Sequence, residues 1–256
     1  MTAVALHPLV RPWEHDLLPK TDSHPDGGSL VQRAVQAVTA HIRDQALRVG
    51  DTLPGEAHFA TTLGVSRAVM REAFGALAAL GLIDVGNGRK PRVAAVDGSV
   101  IATSLGHAVT TAQITVPEVW DVRQTIEVRT AALAATSRTA EEADRIVGLA
   151  DSMANDFDDF GRMTRHDIAF HEAIARASHN LLFVQIVASF APLMEVAVPA
   201  AWRTRTTEAQ RSSIIDRHRA VARAIADSDP AAAAKAMTAH FDATVGDILQ
   251  ATRAGV

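Results

Sequence analysis

Residues 53–84 read LPGEAHFATTLGVSRAVMREAFGALAALGLID, and this stretch decides the fold of the N-terminal part of the chain. Pro54 at a first-turn position and Gly64 just past Leu63 bracket a short helix, with Phe59, Ala60 and Leu63 on its inner face. Gly64-Val65 is a tight turn. Ser66 is an N-cap, because its hydroxyl can accept from the first free amides of the helix that follows. That helix runs to about Leu80 and stops at Gly81. Arg67 and Arg71 lie four residues apart on it, so both guanidinium groups project from one face. A short helix, a tight turn and a second helix led by paired arginines suit entry into a DNA major groove. One arginine can fork onto a guanine edge or a phosphate while the other holds the backbone.

Upstream, Leu30, Val31, Ala34, Val35, Val38 and Ile42 recur at helical spacing. Downstream, Leu82 to Val85 and Arg92 to Ala95 are short β-type pieces joined by the tip Gly86-Asn87-Gly88-Arg89-Lys90-Pro91. Two glycines beside Arg89 and Lys90 let main chain approach a groove closely. Three helices and a hairpin make a winged helix-turn-helix. The predicted architecture is mainly α: a flexible N-terminal arm over 1–28, the winged helix-turn-helix over 29–96, a linker over 97–116 and an all-helical antiparallel bundle over 117–250.

Charge follows the same division. Residues 29–96 carry eight basic and five acidic groups, a net +3, whereas the whole chain is −4. A phosphate-binding surface needs positive charge only within a Debye length, roughly 8 Å. The later part, net −5, would repel DNA and has another task. Aromatic residues are 4% of the chain and Tyr is absent, so small aliphatic side chains must fill close-packed helices. Zero Cys excludes a disulfide scaffold, a Cys-ligated zinc site and a thiol nucleophile. No stretch approaches the roughly 20 apolar residues that span a bilayer, and Met1 to Lys20 lacks the apolar run of a signal peptide. No membrane partner is expected, and the cytoplasm is the expected compartment.

Asp167 and His171 share a helix face, four residues apart. The turn Asp227-Ser228-Asp229-Pro230 folds residues 214–226 and 231–249 into an antiparallel pair. His218 and His240 then stand at nearly the same height on adjacent helices, about 15 Å from the turn. Three imidazoles and a carboxylate from three helices can meet at one level of a bundle, a setting in which bundles build metal sites. Such a donor set leaves coordination positions open to a small anion. Arg123 is the candidate carboxylate clamp, a salt bridge to Glu127 being its competing role, and Asn180 is a candidate effector hydrogen-bonder or a helix cap. There is no His-Glu-x-x-His motif and no phosphate-binding glycine loop.

Residues 30–95 resemble the DNA-binding domain of GntR-family bacterial regulators through Leu53-Pro54-Gly55-Glu56, Leu63-Gly64-Val65-Ser66-Arg67, Arg71-Glu72-Ala73 and Leu80-Gly81-Leu82-Ile83. The resemblance implies operator contacts by Arg67, Arg71 and Gly88. It departs at Ala57, where many members carry a DNA-contacting arginine. Residues 117–250 resemble the FCD-type ligand domain of the FadR-like branch. That resemblance rests on Arg123-x3-Glu127, Asp167-x3-His171, Ala177-Ser178-His179-Asn180, His218-x3-Ala222 and Ala236-x3-His240. It implies a divalent ion on Asp167, His171, His218 and His240, most often Zn2+, with Ni2+ or Mn2+ as variants. The expected protein is a homodimeric, metabolite-responsive regulator, a repressor, that binds double-stranded operator DNA and a small carboxylate or sugar acid. A metal-dependent hydrolase or lyase fused to a DNA-binding module is the alternative.

Overall fold

Ser29 opens the first helix with a capping box: its hydroxyl accepts from the Gln32 amide at 3.2 Å, and the Gln32 side chain accepts from the Ser29 amide at 2.9 Å. The computed structural model describes residues 28–86 and 88–253, with side chains through residue 243. All but the last residue of the expected N-terminal arm lies outside the described residues. The chain divides into two compact units, one holding the residues up to Leu47 with Pro54–Ala76, the other Arg48–Leu53 with Leu77 onward.

The first unit contains α1 (Leu30–Asp44), α2 (Glu56–Leu63) and most of α3 (Arg67–Ala79). Its core is Ala34, Val38, Phe59, Met70, Ala73 and Phe74, with Phe59 tilted against Phe74 at 6.0 Å and edge-on to His41 at 5.3 Å. Gly64 adopts φ 65° at the end of α2, a left-handed conformation that only glycine takes without strain. Two local expectations need correction. Pro54 precedes the cap residue Gly55 instead of lying in the first turn. Leu63 is the last helical residue before the chain turns away at Gly64, and it stays 37% exposed.

In the second unit, β1 (Ile83–Asp84) and β2 (Arg92–Val93) pair antiparallel with Ile83 opposite Val93. Thr52 adds a bridge to Arg92, flanked by Gly50 N–H to Val93 C=O at 2.9 Å and Leu53 N–H to Pro91 C=O at 2.8 Å. This third strand segment gave no alternating pattern in the sequence. By contacts the hairpin groups with the second unit.

The expected linker 97–116 is largely helical: α4 spans Ser99–Thr110 and packs on α8 and α9. Gly98 starts it at φ 77°, where an added Cβ would come within 2.6 Å of the Gln185 carbonyl oxygen. Seven further helices follow: α5 (Val116–Ser137), α6 (Ala140–Asn155), α7 (Phe160–Ala177), α8 (Leu181–Ser189), α9 (Ala191–Arg203), α10 (Glu208–Ala226) and α11 (Pro230–Arg253). Capping boxes at Thr115, Thr139 and Thr207 start α5, α6 and α10. α5 and α10 both lie along α11, and α7 packs on α5, α6 and α9. Ala131, Ala134, Ala222 and Ala233 are buried among Phe170, Trp202 and Phe241, small residues that let backbones approach. No single helix among the described residues is long and apolar enough to cross a membrane.

The Gly98 contact generates a test. Gly98→Ala must strain the backbone and displace a main-chain carbonyl, so urea unfolding should show a loss of about 2 kcal/mol. Gly106→Ala, mid-α4 with nothing within 4 Å of its Cβ position, should be neutral or gain up to about 1 kcal/mol.

Candidate functional site

The C-terminal bundle buries an unusual set of polar groups at one level. α7 supplies Asp167 and His171, α10 supplies His218 and α11 supplies His240, all buried. One ligand nitrogen from each histidine lies within 4.8 Å of the other two. The ring centroids of His218 and His240 are 4.4 Å apart, those of His171 and His240 5.2 Å. The structure thus brings together the three histidines that the sequence placed on separate helices.

The hydrogen bonds determine which atoms face inward. His218 Nδ1 lies 2.8 Å from the Ile214 carbonyl, which can only accept, so Nδ1 carries the hydrogen. His218 Nε2 lies 3.0 Å from Asp167 Oδ1, within hydrogen-bond distance of the carboxylate. His171 Nδ1 contacts Glu127 Oε2, and Glu127 Oε1 also accepts from Arg123 Nε. A carboxylate on Nδ1 fixes the His171 tautomer and leaves Nε2 as the available ligand atom. Three oriented imidazoles and a carboxylate are a donor set that a divalent ion fits.

Burial alone would raise the carboxyl of Asp167, but the hydrogen bond from His218 and the nearby His171, His218 and Arg123 drive it well below the ordinary range. Glu127 is likewise pushed up by burial and more than offset by Arg123 and His171. His240 is held well below the ordinary histidine value, first by burial and then by its neighbours His218 and His171.

Asp167, His171, His218 and His240 wall a small cavity. Arg123 forms the buried ion pair with Glu127 and also lines the cavity. Its guanidinium lies over Trp120 at 5.3 Å and over Phe241 at 5.4 Å, and its Nη1 contacts the Met194 sulfur. Asn180 does not belong here. It is the N-cap of α8, its side chain accepting from the Leu182 amide at 3.1 Å, and it is absent from the cavity wall. A cap starts a helix whatever lies elsewhere, and sequence spacing could not tell the two roles apart. Trp120, Trp202 and Arg205 line the cavity and escaped the sequence reading. Arg205 follows α9 in a polar stretch that reads as a loop, yet it is 5% exposed and sits over Trp202 at 5.5 Å.

In the first unit, the Ser66 hydroxyl accepts from the Val69 amide at 3.2 Å, as a cap for α3. Arg67 and Arg71 are exposed, and Arg71 Nε lies 3.9 Å from Glu56, a loose surface pair. In the hairpin of the second unit, Gly88 takes φ 72° and Arg89 and Lys90 are exposed. Arg89 folds over Gly86, where a Cβ would meet its Nη2 at 2.6 Å.

Residues 30–93 match the family model for bacterial regulatory proteins of the gntR family, and residues 118–243 match the FCD domain. The chain belongs to the GntR family. The Glc operon transcriptional activator of Escherichia coli (strain K12) is 32% identical over 213 residues, spanning 80% of this chain and 83% of that protein. The HTH-type transcriptional regulator LutR of Bacillus subtilis (strain 168) is 29% identical over 212 residues, spanning 81% and 95%. The solved structure of Streptococcus agalactiae GntR has the same fold, with a TM-score of 0.60 and 21% identity over 83% of this chain and 97% of that one. This GntR-family member is therefore a transcription regulator with an FCD ligand-binding domain, like its relatives, and the enzyme alternative falls.

The metal-free protein should lose stability in acid in two stages. The unfolded chain protonates His240 near its ordinary value of 6.5 while the fold keeps it neutral, so stability should fall by up to about 1.4 kcal/mol per pH unit below that. Below about pH 4.5 the depressed Glu127 and Asp167 add a steeper loss, read from urea midpoints between pH 8 and 3. Glu127→Ala strands the buried Arg123 charge and should cost about 3–5 kcal/mol, measured in the same assay.

Proposed function

We propose that this GntR-family regulator binds operator DNA as a homodimer and responds to a small organic acid or sugar acid held beside a divalent ion. Ser66, Arg67 and Arg71 on the recognition helix and Gly88, Arg89 and Lys90 on the wing are the DNA-contacting groups in this reading. Asp167, His171, His218 and His240 would hold the ion, Zn2+ being the ion that three imidazoles and a carboxylate suit best, with Ni2+ and Mn2+ also compatible. When bound, the ion supplies open coordination positions for a carboxylate. Arg123 adds a guanidinium at the same cavity. The single observation that carries the reading is the convergence of His171, His218 and His240, one ligand nitrogen of each within 4.8 Å of the others, beside Asp167 and a cavity wall bearing an arginine. A cytoplasmic location goes with this role.

Coupling follows from geometry at the DNA end. Two half-sites on B-DNA lie one helical turn apart, about 34–36 Å, so a modest change in the separation of two reading heads alters operator affinity. Acid and operator are then linked ligands, each changing the other's affinity by the same factor.

Fluorescence anisotropy on DNA from the gene's own promoter region tests the first half: Arg67→Ala should weaken binding at least about tenfold with metal content unchanged. Elemental analysis and thermal shift test the second. His218→Ala should lose the bound ion, and chelator should lower the melting temperature of the parent protein but not of the variant. A melting curve of the parent protein that ignores both metal and chelator would sink the metal-centred reading.

A further inference from the structure

We propose that Arg217 is a positioning residue for the histidine cluster: its bond to α11 holds His240 at the level and angle at which it meets His218 and His171. The inference rests on the metal-centred reading of the preceding section and adds to it a residue outside the donor set.

Shape alone keys α11 weakly. The face that it turns to the core buries Ala233, Met237, His240 and Phe241, and Ala232, Ala236 and Ala239 are half-buried beside them. Methyl groups let α5 and α10 come close, but a row of equal small side chains does little to fix the roll of a helix. One end of the α10–α11 pair is fixed by the turn Asp227-Ser228-Asp229-Pro230. His218 and His240 stand about 15 Å from it, so a change of about 10° between the helix axes would carry one ring from the other by about 2–3 Å. A metal–ligand distance tolerates only about 0.2 Å. Something nearer the cluster must hold the two helices.

Arg217 does this. It precedes His218 on α10, and its Nη1 donates to the main-chain carbonyl of Ala239, the residue before His240, at 2.9 Å. The acceptor is a backbone atom, so the bond reads the phase of α11 itself and not the rotamer of a side chain. On the other flank Gln124 of α5, next to Arg123, donates its Nε2 to Asp242 Oδ1 at 3.0 Å. Within one turn of His240, α11 is therefore tied from α10 and from α5. The Arg217 bond has a charged donor and is partly buried, whereas the Gln124 bond is exposed to water, so Arg217 is the stronger tie. Polar contacts of this kind, set into an otherwise uniform packing surface, select one register among near-equal ones. Another cation of α10, Arg219, pairs instead with Asp151 at 2.9 Å, on α6, a helix that carries none of the cluster.

Three variants of the full-length protein test this. Arg217→Met keeps the aliphatic stem and removes the donor, and Arg217→Lys keeps a donor on a stem of similar length. Arg219→Met is the control, since it breaks a cross-helix bond of α10 that does not reach α11. Zn2+ affinity is measured by competition with a chromophoric chelator. Arg217→Met should weaken it about tenfold, Arg217→Lys should stay within about threefold of the parent, and Arg219→Met within about twofold. A second measurement needs no ion. In metal-free protein labelled with 13C-histidine, the rings of His218 and His240 have centroids 4.4 Å apart and should show a nuclear Overhauser contact. Arg219→Met should keep that contact and Arg217→Met should lose most of it. A parent-like affinity or a parent-like ring contact in Arg217→Met overturns the positioning role, as does an equal loss in Arg219→Met. If the parent protein binds no Zn2+, the metal-centred reading fails by itself, and the ring contact alone decides whether Arg217 positions His240.

Discussion

Asp167 is buried inside a helical bundle at 3.0 Å from His218 Nε2, and a carboxylate persists there only because hydrogen bonding and the nearby His171, His218 and Arg123 offset the cost of its burial. Much of the polar wiring of the C-terminal domain holds this cluster in place. The Ile214 carbonyl orients His218 from its own helix, and Glu127 orients His171 from α5. Glu127 in turn is held by Arg123, so the guanidinium that lines the cavity and the imidazole of His171 share one carboxylate. Such a chain is rigid because each member is buried and bonded; removing one leaves its neighbour charged and unsatisfied.

The helices around it are built to hold this cluster in register. Capping boxes define where α5, α6 and α10 begin, which sets the angular phase of every residue that follows along each helix. Buried alanines on α5, α10 and α11 let the helices approach closely enough for side chains of three helices to meet. The DNA-reading elements obey different rules. Their functional side chains are exposed, and what is specified is the backbone beneath them: the left-handed Gly64 turn before α3 and the positive-φ Gly88 of the hairpin.

Several parts of this were legible in the chain. A period of four put Asp167 and His171 on one face, and the turn at Asp227–Pro230 brought His218 and His240 level, because helix rise is constant and both arguments need only counting. The recognition helix was legible for a similar reason, its cap, turn glycine and paired arginines all being local signals. Arg123 could be singled out but not resolved between clamp and ion pair, since a spacing of four is compatible with both. Asn180 reads from sequence as an effector hydrogen-bonder or a helix cap, and it caps α8, its side chain engaged by the Leu182 amide. The bridge at Thr52, the helical character of residues 99–110 and the burial of Arg205 left no periodic trace.

Sequence by itself determined the family, the helix phases and the identity of the candidate ligands, because these depend on residue type and on separations along the chain. Only tertiary structure decided what shares a cavity. Trp120, Trp202 and Arg205 sit far from the histidines in sequence, and nothing in their own neighbourhoods marks them. They meet because α5 and α9 pack around α7 and α11, and packing between distant helices is settled by shape and burial rather than by local pattern.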